Sequence, residues 1–140
     1  MPELKTYDLF ISHAWSHSDD YIRFVALINQ APNFRWRNYS APRHDPAIDP
    51  NSSASTWALA RALDDQIRPV NCVIVISGMY VTYRYWIQKE IDIALSFKKP
   101  IVGVTPWGQE RIPQAVQEVA KEMVGWNTVS IVDAIRRWSI

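Results

Sequence analysis

Glu90 is the residue whose position most demands a chemical explanation. Over Thr82–Lys98 the apolar residues recur with a helical period. At roughly 100° per residue, Ile93, Trp86, Phe97, Tyr83, Ala94, Ile87 and Ile91 fall in one broad arc. Gln88, Asp92, Ser96 and Lys89 lie opposite. Glu90 falls near the middle of the apolar arc, between Phe97 and Tyr83, with Trp86 one turn before it on the same face. Burying a bare carboxylate costs several kcal/mol. The group is therefore paired, protonated or lining a cleft, and a salt bridge to an arginine of a neighbouring element is the structural alternative to a reacting group.

Other chemistries find less support. Cys72 is the single cysteine, which excludes an internal disulfide and a thiolate zinc site. It lies in the apolar run Val70–Ile76 and reads as a small buried hydrophobe rather than a nucleophile. The four glycines, Gly78, Gly103, Gly108 and Gly125, form neither G-x-G-x-x-G nor a Walker A loop. A metal site could draw on His13, His17, His44, Asp45 and Asp49, but the two histidines four apart straddle a strand–helix loop. Unlike H-E-x-x-H on a helix, that spacing does not fix them on one face. A phospho-acceptor of the response-regulator kind needs an acidic residue at the end of the third strand, where Ser77 stands.

Strands and helices alternate in the segments that must position these groups. Tyr7–Ser12 reads as a buried strand, Ser18–Gln30 as an amphipathic helix, and Phe34–Tyr39 as a half-exposed strand. Ser40–Ser55, with Pro42, Pro46 and Pro50, reads as a long loop, and Thr56–Ile67 as a helix. Val70–Ser77 and Pro100–Thr105 are continuous apolar runs, read as buried strands on either side of the Thr82–Lys98 helix. Pro113–Met123 is expected as a helix, Trp126–Val129 as a short strand and Ile131–Trp138 as the last helix. This alternation predicts one α/β domain over residues 1–140: a flavodoxin-like three-layer sandwich with a five-stranded parallel sheet. Ligands of such sheets bind outside the carboxyl ends of the strands, beside the switch in strand order. Ser12 and His13 end the first strand and Ser77 the third, so their polar groups are expected at that crevice.

Composition narrows the partners. The chain has 140 residues, 48% of them hydrophobic and 21% charged, as in a folded domain. Fifteen Lys and Arg against fourteen Asp and Glu leave a formal charge of +1, too little for a general nucleic-acid binder. MPELKTYDLF lacks the pattern of a secretory signal, and no apolar run approaches a membrane span. A cytoplasmic protein without membrane contact is the expectation. Seven tryptophans are an excess: Trp57, Trp107, Trp126 and Trp138 are assigned to packing, Trp36 to a strand, and Trp15 and Trp86 to the candidate site.

Four segments in register resemble the TIR domain: YDLFISHA at 7–14, SGMY at 77–80, WIQKEIDIAL at 86–95 and KPIVGV at 99–104. The FRWRNYS strand and the proline-rich loop after it look more like the bacterial TIR-like branch, which includes the Thoeris anti-phage proteins. The resemblance covers most of the chain to about Val104, and Ser40–Ser55 would correspond to the BB loop. Enzymatic members cleave the nicotinamide–ribose bond of NAD with a glutamate in a Trp-x-x-x-Glu helix, which falls on Glu90. NAD is then a substrate, and no cofactor is implied. Nicotinamide leaves as a neutral molecule and needs no general acid, whereas glycosidases require a second carboxyl to protonate their leaving oxygen. One carboxylate suffices to stabilise the oxocarbenium-like ribosyl cation.

By the same resemblance the segment after the first strand contacts the nucleotide. Here it carries His13, Ala14 and Trp15, where many members have Arg or Gly. Trp15 could stack on a ring, or it is a surface aromatic covering the sheet end. Asn38, Ser40 and Arg43 could reach ribose or phosphate, while Arg35 and Arg37 are expected on the solvated face of an edge strand. The competing class is a non-catalytic TIR adaptor that self-associates. The enzyme reading instead implies a separate effector that reads the nucleotide product.

Overall fold

Segments with no polar side to show become the centre of the sheet. In the computed structural model, which describes residues 5–12, 19–39, 64–76, 84–105 and 114–140 (backbone alone at 19–21 and 84–87), strand β3 is Cys72–Ile76 and β4 is Ile101–Val104. Every residue of both is buried, as expected where helices cover both faces. Strand β1, Thr6–Ser12, is buried over its last four residues. Strand β2, Arg35–Asn38, alternates exposed and half-buried residues, and β5 is the short Glu122–Val124. All pairings are parallel, in the order β2-β1-β3-β4-β5. This is the expected flavodoxin-like order, with β2 and β5 as the edges.

The helices are α1, Asp19–Asn29; α2, Arg84–Ser96; α3, Gln114–Val119; and α4, Thr128–Trp138. Right-handed crossovers require α1, which leads from β1 outward to β2, to lie on one face. Helices α2 and α3, which lead the other way, lie on the opposite face. Helix α4 packs against α1, β4 and β5. The core runs through the sheet, with Phe24 and Ile28 from α1, Ile91 and Ala94 from α2, Val116 from α3, and Ile131 and Ile135 from α4.

Local chemistry sets the helix ends. Lys98 takes φ 57° after α2. Its N–H bonds the Leu95 carbonyl at 3.0 Å and the Lys99 N–H bonds the Ala94 carbonyl at 2.9 Å, a Schellman stop ahead of Pro100. Asn127 caps α4 by accepting the Ser130 N–H at 3.0 Å.

The last crossover departs from the sequence reading. The helix expected over Pro113–Met123 ends at Val119, and the strand expected at Trp126–Val129 is instead Glu122–Val124. Pairing with β4 decides the matter: Lys121 N–H bonds the Ile101 carbonyl at 2.7 Å, and Glu122, Met123 and Val124 match Val102, Gly103 and Val104. Asn127 and Thr128 are then the cap and first turn of α4. The Ser40–Ser55 loop and most of the Thr56–Ile67 helix lie outside the described residues. The described end of that helix is the turn at 64–67, where Gln66 Nε2 bonds the Tyr39 carbonyl at 3.1 Å.

The amino end of the sheet is closed by Asn71. Its backbone N–H bonds the Asp8 carbonyl at 2.7 Å, and its side-chain oxygen accepts the Asp8 N–H at 2.8 Å. Its Nδ2 bonds the backbone oxygen of Ile140 at 2.7 Å, and the Ile140 N–H returns to the Asn71 carbonyl at 3.1 Å.

Candidate functional site

The chain runs from β1 outward to β2 and then back to β3 on the other side of β1, so the switch in strand order lies between β1 and β3. Ser12 is the last residue of β1 and pairs in register with Val75 of β3. Side chains alternate along a strand, so Ser12 shares a face with Phe10, and that face is the one α2 covers. Helix α2 brings Glu90 to the same place. The Ser12 hydroxyl donates to Glu90 Oε1 at 3.0 Å, joining residues 78 apart in sequence.

Both partners are buried, Ser12 at 0% and Glu90 at 3% exposure. Ile91 and Ala94, on the same side of α2, are fully buried. Burial therefore pushes the Glu90 carboxyl well above its ordinary value, and the bond from Ser12 opposes this only in part. Among the described residues no lysine or arginine pairs with Glu90. The arrangement at the switch point is thus a carboxyl with one neutral donor on Oε1 and a strong preference for its protonated form. It can hold or release a proton, and once ionised it can stabilise a neighbouring cation strongly, because the surroundings are of low polarity.

The structure brings together Ser12 and Glu90 among the residues singled out from the sequence. Asn38 ends β2 half-buried and level with Leu9, three residues short of Ser12, or roughly 10 Å back along the sheet at about 3.3 Å per residue. Trp86 occupies its expected backbone position on α2, one turn before Glu90. His13, Trp15, Ser40, Arg43 and Ser77 lie outside the described residues, as do His17 and His44. Among the described residues no cluster of His, Cys, Asp or Glu could hold a metal ion. Cys72 is buried with its thiol pushed up to about 12, an unreactive group as expected. Arg35 and Arg37 do occupy the exposed side of an edge strand, with Arg37 paired to Asp8 at 2.6 Å. Sequence reasoning missed the partnership of Ser12 with Glu90. Its available signal was a polar residue ending an otherwise apolar strand.

Comparison with known families decides the relationship. The profile of the Thoeris protein ThsB, TIR-like domain, matches residues 10–111, well over half of the chain. The chain belongs to that family. The match takes in Ser12, all of α2 with Glu90, and β4, so the Thoeris TIR-like domain contains the whole of the site described above. Membership places the chain in an anti-phage defence family, as the sequence resemblance implied. No curated protein matches the chain. Among solved structures it is similar to FerB, a flavoenzyme NAD(P)H:(acceptor) oxidoreductase from Paracoccus denitrificans. The two are 13% identical, with 97% of this chain and 100% of that chain covered and a TM-score of 0.48, a likeness that carries no argument about function. No helix among the described residues is long and apolar enough to cross a membrane.

Proposed function

We propose that this Thoeris TIR-like domain consumes NAD, cleaving the nicotinamide–ribose bond with Glu90 as the reacting carboxylate. The product is an ADP-ribose-derived nucleotide, cyclic or conjugated, read by a separate effector in anti-phage defence. The observation that carries this reading is the buried Glu90 carboxyl held by Ser12 beside the carboxyl end of β1, where the strand order switches.

The chemistry suits such a group. A pyridinium beside Glu90 favours the ionised carboxyl, so arrival of the cationic substrate drives the Glu90 proton off to water. Cleavage moves the bonding electron pair onto the nicotinamide nitrogen. Nicotinamide leaves neutral, and the positive charge passes to the ribosyl carbon. The Glu90 carboxylate then faces that cation in a site from which water is largely excluded, where the attraction exceeds its value in water several-fold. A hydroxyl of the same or another nucleotide, or water, bonds the ribosyl carbon and passes its proton to Glu90, which returns to its protonated form.

Nicotinamide release from NAD tests the reading. Glu90→Gln keeps the shape and removes the charge, and is expected to abolish release, with a loss on the order of 100-fold or more. Its circular dichroism is expected to match the parent, and its melting to lie no lower than the parent's. A Glu90→Gln protein as active as the parent would overturn the assignment of Glu90, whereas a parent that releases no nicotinamide would leave the adaptor reading in its place.

A further inference from the structure

We propose that Ser12 is a positioning residue that acts on the reaction only through Glu90, fixing the carboxyl by its Oε1 and leaving Oε2 to face the substrate. This rests on the reading of Glu90 as the reacting carboxylate. Three observations carry it. Ser12 has no exposed surface whereas Glu90 keeps 3%, so of the two the carboxyl is the one a substrate can reach. A serine hydroxyl has one proton to donate, and that proton goes to Glu90 Oε1 at 3.0 Å. Glu90 has no other partner among the described residues, so without Ser12 nothing described there sets the rotation of its carboxyl.

The placement is built into the fold. Ser12 is held by the ladder between β1 and β3, in register with Val75, among fully buried neighbours. Glu90 is carried by α2, whose buried residues Ile91 and Ala94 anchor it against the sheet. A glutamate has three side-chain torsions, and fixing them in advance lowers the barrier to any step that needs one carboxyl orientation. Because the bond from Ser12 also favours the ionised carboxyl, its loss has a second, separable signature in the pH profile.

The test compares the parent with Ser12→Ala, Ser12→Thr and Glu90→Gln, using NAD as the probe. Ser12→Ala is expected to lower kcat about 10- to 100-fold with KM changed less than about threefold, as for a lost hydrogen bond to a charged group. The acidic limb of the kcat profile is expected to move to higher pH. Ser12→Thr, which keeps the hydroxyl on a strand that tolerates β-branching, is expected to restore most of the rate. Infrared difference spectra of the resting protein supply a readout independent of turnover. The carboxyl band absent from Glu90→Gln is expected to rise in frequency in Ser12→Ala, as its carbonyl loses a donor. Should Ser12→Ala fail to fold, Ser12→Cys, close in size and a weak donor, takes its place.

A raised KM with unchanged kcat, pH limb and infrared band, in a background where Glu90→Gln is inactive, would make Ser12 a substrate contact and overturn the proposal. An active Glu90→Gln would instead remove the catalytic reading of Glu90. The infrared band would still report whether Ser12 holds the carboxyl.

Discussion

The two ends of the parallel sheet treat their polar groups in opposite ways. At the amino end, Asn71 satisfies Asp8 and Ile140 through four hydrogen bonds between 2.7 and 3.1 Å. Beside it, Lys5 lies over the Tyr7 ring, Tyr7 stacks on Phe34 at 5.5 Å, and Arg136 lies over Phe34 at 5.5 Å. Every polar group named there has a partner or faces water. At the carboxyl end a buried carboxyl has one neutral donor and no described cation. One end is built to stay closed, whereas the other keeps an ionisable group in surroundings that resist its ionisation. Groups perturbed in this way cluster at functional sites.

The contrast breaks most visibly with pH. A carboxyl whose folded-state value lies above the unfolded one binds more protons in the native state, so stability falls as pH rises. The fall begins near the ordinary 4.5 and ends at the raised folded value. Below 4.5 both states are protonated and Glu90 has no effect. Denaturant titrations are expected to show the parent losing up to about 1.4 kcal/mol per pH unit relative to Glu90→Gln within that window. Parallel curves for the two proteins would mean that Glu90 ionises freely in the fold. Asn71→Ala should behave in the opposite manner. It removes the acceptor of the part-buried Asp8 N–H and a donor to the exposed Ile140 oxygen, and about 1–2 kcal/mol is expected to be lost with little dependence on pH.

The fold class is legible in the sequence because continuous apolar runs bounded by prolines and polar residues suffice to mark buried parallel strands. Glu90 is legible for a related reason, since the period of α2 fixes its face before any partner is known. Its bond to Ser12 is not, because it joins elements that only the strand order brings together. Helix α3 and strand β5 show the other limit. Glu122–Val124 is too short to carry a period, and its place is set by pairing with β4, so a pattern of single residues assigns it to the preceding helix.

Between the two ends the sheet is held by its backbone ladder and by apolar packing, and Gly103 probes that middle ground. A Cβ at Gly103 would overlap Met123 Sδ and lie 2.7 Å from Met123 Cε, with Val116 Cγ1 at 3.3 Å. Met123 therefore lies across β4 in the space a side chain would fill. Gly103→Ala is expected to destabilise by about 1–2 kcal/mol as the thioether is displaced. Adding Met123→Ala is expected to give less than the sum of the two single losses. Additive losses would show that Met123 already has room to turn aside. Neither change is expected to alter the pH difference assigned to Glu90.

The smallest effect separates surface charge from buried charge. Arg37 meets Asp8 through Nε at 2.6 Å and Nη2 at 3.1 Å, but its side chain is 65% exposed. Water already solvates the Arg37 side of the pair and salt screens what remains, so the pair contributes little although the Asp8 side chain is 14% exposed. Arg37→Gln is expected to shift melting only slightly at low salt and not at all near 1 M, where the screening length falls to about 3 Å. The Glu90 penalty is a desolvation effect with no mobile ions in reach, so its pH dependence is expected to survive the same salt. Melting curves of the parent, Arg37→Gln and Glu90→Gln at low and high salt check both expectations together. A Glu90 effect that salt erased would mean the carboxyl is in contact with solvent, and the contrast between the two ends of the sheet would then be one of degree.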